Sequence, residues 1–335
     1  MRCKAIIPLF LAITLLLCTA CSSDNTVKSV LYYDYDITSY ISVGAFKNEV
    51  QRNSDDYEKY LNSFYNETFG DDFKTVAYLG VVEKWDTVNI SYTAYYDGEV
   101  IEGEHTSDYE FIVGLHNISV DGFEDEIIGR KIGNKFEVQL QLPDDHISGL
   151  GGKTADFSVC VNYAVKKSLP SDSAIKEYGF ETLRDYEMAA DEYAVKLCLF
   201  YNVYENTDFK SYPEKETQIM LDEIVAKYSA KCEAQGYTFS DLATSYGKSE
   251  EEYKETLKET IQKDSQSMPC DLVSHYILQL YDSKLTYEDV EKTRDTLKQK
   301  HGVELDAVGY TEIEIQRLSA YEKALDVLYE RATVK

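Results

Sequence analysis

Basic residues are scarce in this chain of 335 residues, which has 34 Lys and Arg against 60 Asp and Glu and a formal charge of −26. A nucleic-acid-binding protein needs clustered Lys and Arg to neutralise phosphates, so this balance argues against one, and also against a polybasic membrane-surface protein. Proline is scarce as well, with 5 residues, which favours long helices over an all-β array. The length predicts about two or three domains.

The sequence has no pattern that predicts a metal centre, a catalytic triad or a cofactor. Its histidines show neither metal nor triad spacing; they are His105, His116, His146, His275 and His301. The cysteines after residue 21 contain no CxxC pair; they are Cys160, Cys198, Cys232 and Cys270. Most of them lie in apolar stripes, where we interpret them as free thiols, although export would also permit disulfides. We therefore expect no nucleophile, no metal and no cofactor.

The first 21 residues have the pattern of an export signal. Arg2 and Lys4 precede an apolar run over residues 5–17, which is shorter than the roughly 20 residues of a typical membrane-spanning helix. The small residue Ala20 before Cys21 resembles a bacterial lipobox, and this resemblance implies that Cys21 carries a lipid. Ordinary cleavage without a lipid is the alternative. We therefore expect an exported protein that is lipid-anchored to the outer face of the bacterial cytoplasmic membrane.

Residues 81–165 alternate polar and apolar side chains with a period of two, which predicts β-strands. Asp97-Gly98 between two such runs is a strong hairpin signal, and one short helical pattern begins at Phe123. The alternating positions are Val88, Ile90 and Tyr92, then Phe136, Val138, Leu140 and Leu142, then Phe157, Val159, Val161 and Tyr163. We therefore predict a small antiparallel β domain with one short helix over residues 81–168.

The regions on either side of this domain follow other patterns. Residues 22–80 are expected to be a tether and a short helix, and residues 28–52 within them to be extended chain with little core of its own. Over residues 169–335 the apolar period is 3.6, which predicts an all-α domain. Ser249 and Thr286 begin capping-box patterns, and Pro269 should interrupt a long helix. The predicted fold class is therefore α+β.

Several motifs of the β domain resemble an FKBP-type peptidyl-prolyl isomerase, and most closely the version inside trigger factor. In chain order they are residues 86–103 (DTVNISYTAYYDGEVIEG), 111–114 (FIVG), 121–125 (DGFED), 129–133 (GRKIG) and 142–145 (LPDD), followed by the strand around Phe157. The helical region resembles trigger factor's C-terminal chaperone domain, so the resemblance covers roughly residues 54–335. Trigger factor's ribosome-docking domain has no counterpart in residues 22–52, so we expect no ribosome docking.

The resemblance implies an apolar bowl that binds a prolyl peptide. Phe123 would be its floor, Tyr92 and Phe157 its aromatic walls, and Glu102 the acid that organises its rim. The other implied substrate-binding residues are Ile101, Tyr109, Ile118, Val120 and His146, of which Ile101 and His146 stand where the family has aromatic residues. Such a site needs no acid–base group, because the barrier of about 18–20 kcal/mol comes from amide resonance. Plain core packing is the alternative for these residue types.

The sequence as a whole predicts a membrane-anchored, extracytoplasmic peptidyl-prolyl isomerase and chaperone. Its expected partners are unfolded or proline-containing exported polypeptides, with no nucleic acid among them. One alternative is a non-catalytic holdase of the same architecture. Another is a solute-binding or adhesive lipoprotein, which the helical second half of the chain disfavours.

Overall fold

The computed structural model describes residues 35–115, 118–146 and 148–335, so the predicted signal segment 1–21 with Cys21 lies outside the described residues. Its strands are β1 (Ile41–Val43), β2 (Glu49–Val50), β3 (Lys74–Ala77), β4 (Thr87–Tyr96), β5 (Glu99–Ile112), β6 (Lys135–Gln141), β7 (Thr154–Lys167), β8 (Thr207–Phe209) and β9 (Thr333–Val334). Its helices are α1 (Asp55–Phe69), α2 (Phe123–Ile127), α3 (Asp172–Ile175), α4 (Leu183–Glu205), α5 (Glu214–Ala234), α6 (Phe239–Ser245), α7 (Glu250–Lys263), α8 (Met268–Leu280), α9 (Tyr287–His301) and α10 (Glu312–Tyr329). The α+β class is confirmed, with a small antiparallel sheet region and a helical region.

Two compact units divide the chain at positions other than the predicted domain boundaries. The first, which we call the sheet unit, comprises Tyr65–Tyr186. The second, the helical unit, comprises residues 35–64 together with Glu187–Lys335. The divisions therefore fall inside α1 and α4, whereas the sequence pattern placed them after residues 80 and 168. The domain boundaries drawn from the sequence stay a prediction.

The sheet unit is built on an antiparallel sheet in the order β3-β7-β4-β5, with β6 also paired to β7. The hairpin between β4 and β5 turns at Asp97 and Gly98, whose φ angles are 51° and 83°. Positive φ at both central residues is the geometry that suits the twist of a two-residue hairpin, so this prediction is confirmed. The core of the unit lies on one face of the sheet, where Val88, Ile90 and Val159 are fully buried.

A bulge in β7 changes which side chains face this core. Asn89 lies opposite Tyr163 and Ile90 lies opposite Val161, so Asn162 is an extra residue in β7. Because an extra residue reverses the alternation, Ala164 is buried in the core and Tyr163 is not. The sequence prediction that Tyr163 shares the face of Val161 is therefore wrong.

The predicted start and stop signals of the helical unit are confirmed. Ser249 and Thr286 each cap a helix, and their hydroxyls accept the N–H of Glu252 and Asp289, whose carboxylates bond back to the cap residues. Pro269 lies in the first turn of α8, where its missing N–H costs nothing, and it separates α7 from α8. No helix of the described residues is long and apolar enough to cross a membrane.

The prediction of little core before residue 52 is wrong for the described part of that segment. Ile37 and Ile41 are fully buried and pack in one cluster with Met220, Ile261 and Leu272 of the helical unit. Two strand pairs hold this segment, because β1 pairs with β8 and β2 pairs with β9. Both partners are far away in the sequence, so no local pattern reveals them.

Candidate functional site

Three aromatic rings from three elements meet in the core of the sheet unit. Tyr92 belongs to β4, Phe123 begins α2, and Phe157 belongs to β7. Their ring centroids are 5.5 Å apart for Phe123 and Phe157, 5.8 Å for Tyr92 and Phe123, and 6.2 Å for Tyr92 and Phe157. The rings meet at tilted and edge-on angles, which aromatic quadrupoles favour. We call these three rings the aromatic cluster.

A glycine and a buried carboxylate position Phe123 in the aromatic cluster. Gly122 precedes α2 with a φ of 79°, a left-handed conformation that glycine adopts without strain. The buried Glu124 side chain accepts the backbone N–H of Gly114 at 2.7 Å and that of Ile118 at 3.2 Å. Glu124 therefore ties α2 to the loop that carries Ile118, which packs against the same core.

Replacing Glu124 by glutamine is expected to destabilise the sheet unit by about 2 kcal/mol, because an amide keeps one acceptor oxygen for the two N–H groups that the carboxylate accepts. Urea unfolding followed by the fluorescence of Trp85, the single tryptophan, should then occur at lower urea concentration. The amides of Gly114 and Ile118 should also exchange faster in NMR. Glu126→Gln on the exposed side of α2 is the control, and equal effects of both substitutions would contradict the role given to Glu124.

Most residues of the predicted bowl are buried in the core of the sheet unit. The almost fully buried residues are Phe123 at 2% exposure, Phe157 at 1%, Ile101 at 4% and Val120 at 6%. Tyr92 and Ile118 are half-buried and pack against the same core. Tyr109 is exposed, and its ring lies 5.7 Å from that of Phe111. A prolyl side chain can therefore touch Phe123 only after neighbouring side chains have moved.

Glu104 supplies the carboxylate next to Tyr92 of the aromatic cluster. No sequence pattern singled this residue out. Burial, followed by the charge of Glu104, raises the pKa of the Tyr92 hydroxyl. Glu102, the predicted rim acid, is instead exposed and lines a surface concavity of about 540 Å³ together with Ile101 and Leu150.

An irregular stretch of β5 explains why Glu104, rather than Glu102, lies beside Tyr92. Thr93 lies opposite His105 and Tyr95 lies opposite Val100, so residues 101–104 together face Ala94 alone. Gly103 in this stretch has a φ of 84°, which a residue with a Cβ rarely adopts. A bulge of this kind redirects side chains, so plain alternation does not predict which glutamate lies beside Tyr92.

Glu104 also pairs with His146, the residue that stands in place of an aromatic wall. The His146 Nε2 atom lies 3.2 Å from the Glu104 Oε1 atom, and both side chains are largely buried. On the other side of the imidazole, Nδ1 lies 2.7 Å from the Ser148 Oγ atom and accepts the Ser148 backbone N–H at 3.3 Å. His146 is therefore bonded through both ring nitrogens, and Glu104 links it to Tyr92. We call Tyr92, Glu104 and His146 the rim triad.

Burial disfavours the thiolate form of two of the cysteines among the described residues. Cys160, Cys198, Cys232 and Cys270 are free thiols. Burial raises the pKa of Cys198 and that of Cys270 to about 12, because a desolvated thiolate is disfavoured. No group of three His, Cys, Asp or Glu side chains in the described part of the chain could hold a metal ion.

A sheet unit with a buried aromatic cluster and a second, helical unit define a two-part α+β protein. No known family profile matches the chain. The chain is similar to the trigger factor of Caldicellulosiruptor bescii, with 26% identity over 275 residues that cover 76% of this chain and 61% of that protein. It is equally similar to the trigger factors of Bacillus thuringiensis and Bacillus cereus, with 26% identity over 272 residues, 76% of this chain and 63% of each relative.

The chain thus spans about three fifths of the length of the curated relatives that it matches. Among solved structures, one described as "Promiscuous Substrate Recognition in Folding and Assembly Activities of the Trigger Factor Chaperone" shares 19% identity and covers 88% of this chain and 71% of its own. Its TM-score of 0.25 does not establish a shared overall structure. The similarity to trigger factors therefore rests on the sequence, where it agrees with the resemblance drawn from the motifs.

Proposed function

We propose that the chain is an extracytoplasmic chaperone with an FKBP-type peptidyl-prolyl isomerase site in its sheet unit. The observation that carries this proposal is the meeting of Tyr92, Phe123 and Phe157 in the core of the sheet unit, in a chain similar to trigger factors. A water-poor aromatic pocket favours the twisted, less polar form of an X-Pro amide and needs no acid–base group. The substrates would be unfolded or proline-containing exported polypeptides.

Catalysis at this site requires an opening step. Phe123 and Phe157 are closed to solvent, whereas Tyr92 is half-buried and its hydroxyl faces a carboxylate rather than an apolar neighbour. An outward rotation of the Tyr92 ring would therefore expose the floor without breaking the core packing between the two phenylalanines. This step would make the site slower than one whose floor is already open.

Exposed apolar side chains of the helical unit support the chaperone part of the proposal. Met188, Tyr246, Leu280 and Tyr287 are all exposed. Methionine adapts its shape to irregular partners, and tyrosine combines an apolar ring with a polar hydroxyl. Such side chains suit transient binding of unfolded polypeptides of varied sequence.

The proposal predicts that the purified protein accelerates cis–trans exchange of a short Phe-Pro peptide, which takes tens to hundreds of seconds without a catalyst. NMR exchange spectroscopy measures this rate directly, and refolding of a protein whose slow phase is limited by proline isomerisation provides a second measurement. In parallel, the protein should suppress aggregation of a chemically unfolded protein. Absence of both activities would overturn the proposed function.

A non-catalytic holdase is the second candidate, and the burial of the aromatic cluster favours it. If Phe123 and Phe157 serve the core alone, no X-Pro amide reaches them. Suppressed aggregation without accelerated exchange would select this candidate. Accelerated exchange at catalytic protein concentration would exclude it.

We also propose that the protein is exported and anchored through a lipid on Cys21. Arg2 and Lys4, the apolar run over residues 5–17 and the Ala20-Cys21 pair support this proposal. Incorporation of labelled palmitate in a bacterial host tests it. The label should be lost in Cys21→Ser and kept in Cys18→Ser, and loss in both or neither would contradict the assignment.

A further inference from the structure

The hydrogen bonds around His146 fix the position of its proton. Nδ1 accepts the Ser148 backbone N–H at 3.3 Å, a long bond that favours an Nδ1 without a proton of its own. The Ser148 Oγ atom accepts the Leu150 N–H at 3.2 Å, which leaves its own O–H free to donate to Nδ1. On the opposite side of the ring, Nε2 lies 3.2 Å from the Glu104 carboxylate, and an N–H at Nε2 donates to it.

Glu104 of β5 lies outside the loop that carries His146, and it favours the tautomer with the proton on Nε2. With the proton on Nδ1, the lone pair of Nε2 would face the Glu104 carboxylate at 3.2 Å, which is repulsive. Besides burial, the charge of the same carboxylate raises the pKa of the Tyr92 hydroxyl. Tyr109 is the other titratable group whose charge raises the pKa of Tyr92. Glu104 thus connects the imidazole at the rim with the ring that packs on Phe123.

We propose that Glu104 is a positioning residue for prolyl isomerisation, because it holds the His146 Nε2–H at the rim as a donor for the carbonyl oxygen of the residue before proline. This inference rests on the isomerase function proposed above. When the substrate enters and Tyr92 rotates outward, the His146 Nε2–H gives up its hydrogen bond to Glu104 and donates to that carbonyl oxygen instead. The proton stays on Nε2. The bond stabilises the twisted amide because a donor already oriented needs no reorganisation. No covalent bond forms or breaks.

The tautomer of His146 tests the role of Glu104 without any activity assay. In protein labelled with ¹⁵N-histidine, long-range ¹H–¹⁵N spectra distinguish the two neutral tautomers, and the His146 signals are those that disappear in His146→Gln. The wild-type protein should show the Nε2–H form near neutral pH. Glu104→Ala should give a mixture of both forms, and Glu104→Gln, which keeps an acceptor oxygen, should preserve the Nε2–H form. Glu137→Ala, at an exposed glutamate of β6 outside the site, should change nothing.

The kinetic test separates this inference from the proposed function. Glu104→Ala should lower kcat about tenfold with little change in KM, since the bond is formed mainly in the twisted state. Glu104→Gln should retain most of the activity, and Glu137→Ala all of it. An unchanged tautomer in Glu104→Ala, or a changed tautomer with unchanged kcat, would overturn the inference. A wild-type protein without isomerase activity would overturn the proposed function, and with it the donor role, whatever the tautomer.

Discussion

Phe123→Ala should lower isomerase activity far more than it lowers the suppression of aggregation. The ring is fully buried and contacts both other members of the aromatic cluster, so its loss removes the surface on which a prolyl ring would lie. The same substitution leaves a cavity and should destabilise the sheet unit by about 3–5 kcal/mol. Trp85 fluorescence measures that cost, while the Phe-Pro exchange rate and light scattering measure the two activities.

A pair of milder substitutions separates the catalytic role of Phe123 from its role in the core. Phe123→Leu and Phe111→Leu each replace a buried aromatic ring of the sheet unit by a side chain of similar volume, which should cost roughly 1–2 kcal/mol. Phe111 packs beside Tyr109 and lies outside the aromatic cluster. We expect only Phe123→Leu to slow X-Pro exchange. Equal loss of activity in both variants, with the fold intact, would contradict the role of Phe123 as the floor.

Local patterns predicted the parts of the fold that depend on local chemistry. Asp97-Gly98 defined the hairpin because both residues adopt a positive φ, and Ser249 and Thr286 marked helix starts because their hydroxyls satisfy free N–H groups. The period of two placed Phe157 in a strand, and the three rings that the resemblance assigned to one bowl lie 5.5 to 6.2 Å apart. Their role as a substrate pocket stays a prediction.

The features that the sequence did not predict arise from insertions in strands and from distant pairing. The extra residue Asn162 in β7 turned Tyr163 outward, and the irregular stretch around Gly103 put Glu104 rather than Glu102 next to Tyr92. A bulge adds one residue without a compositional signal, apart from the glycine. The burial of Ile41 depends on β8, more than 160 residues away, so only the folded chain reveals it.

A buried carboxylate between two long helices should make the helical unit sensitive to pH. Glu322 of α10 accepts the Thr293 Oγ–H of α9 at 2.6 Å through its Oε2 atom. Its Oε1 atom is buried and has no hydrogen-bond partner among the described residues. Burial outweighs the Thr293 bond and the nearby lysines Lys292 and Lys196, and raises the pKa of Glu322 to about 7.

The direction of the pH dependence follows from whether the folded or the unfolded state binds the proton more tightly. Unfolding returns Glu322 to an ordinary pKa of 4.5, so between this value and about 7 the folded state holds a proton that the unfolded state has lost. The stabilising contribution of the protonated carboxyl is therefore complete below about pH 4.5 and is lost as the pH rises from there through 7. A shift of roughly 2.5 pKa units corresponds to about 3 kcal/mol of unfolding free energy.

Glu322→Gln should therefore be more stable than the wild-type protein by up to about 3 kcal/mol at about pH 8, and should differ little from it at about pH 5. Glutamine cannot ionise, and it keeps an acceptor for Thr293. Urea unfolding followed by far-UV circular dichroism reports the helical unit, whereas Trp85 reports the sheet unit, so the gain should appear in the first signal alone. Glu330→Gln at the exposed end of α10 is the control. A gain that is equal at both pH values, or that appears in both variants, would mean that Glu322 is not the group whose ionisation weakens the packing of α9 against α10.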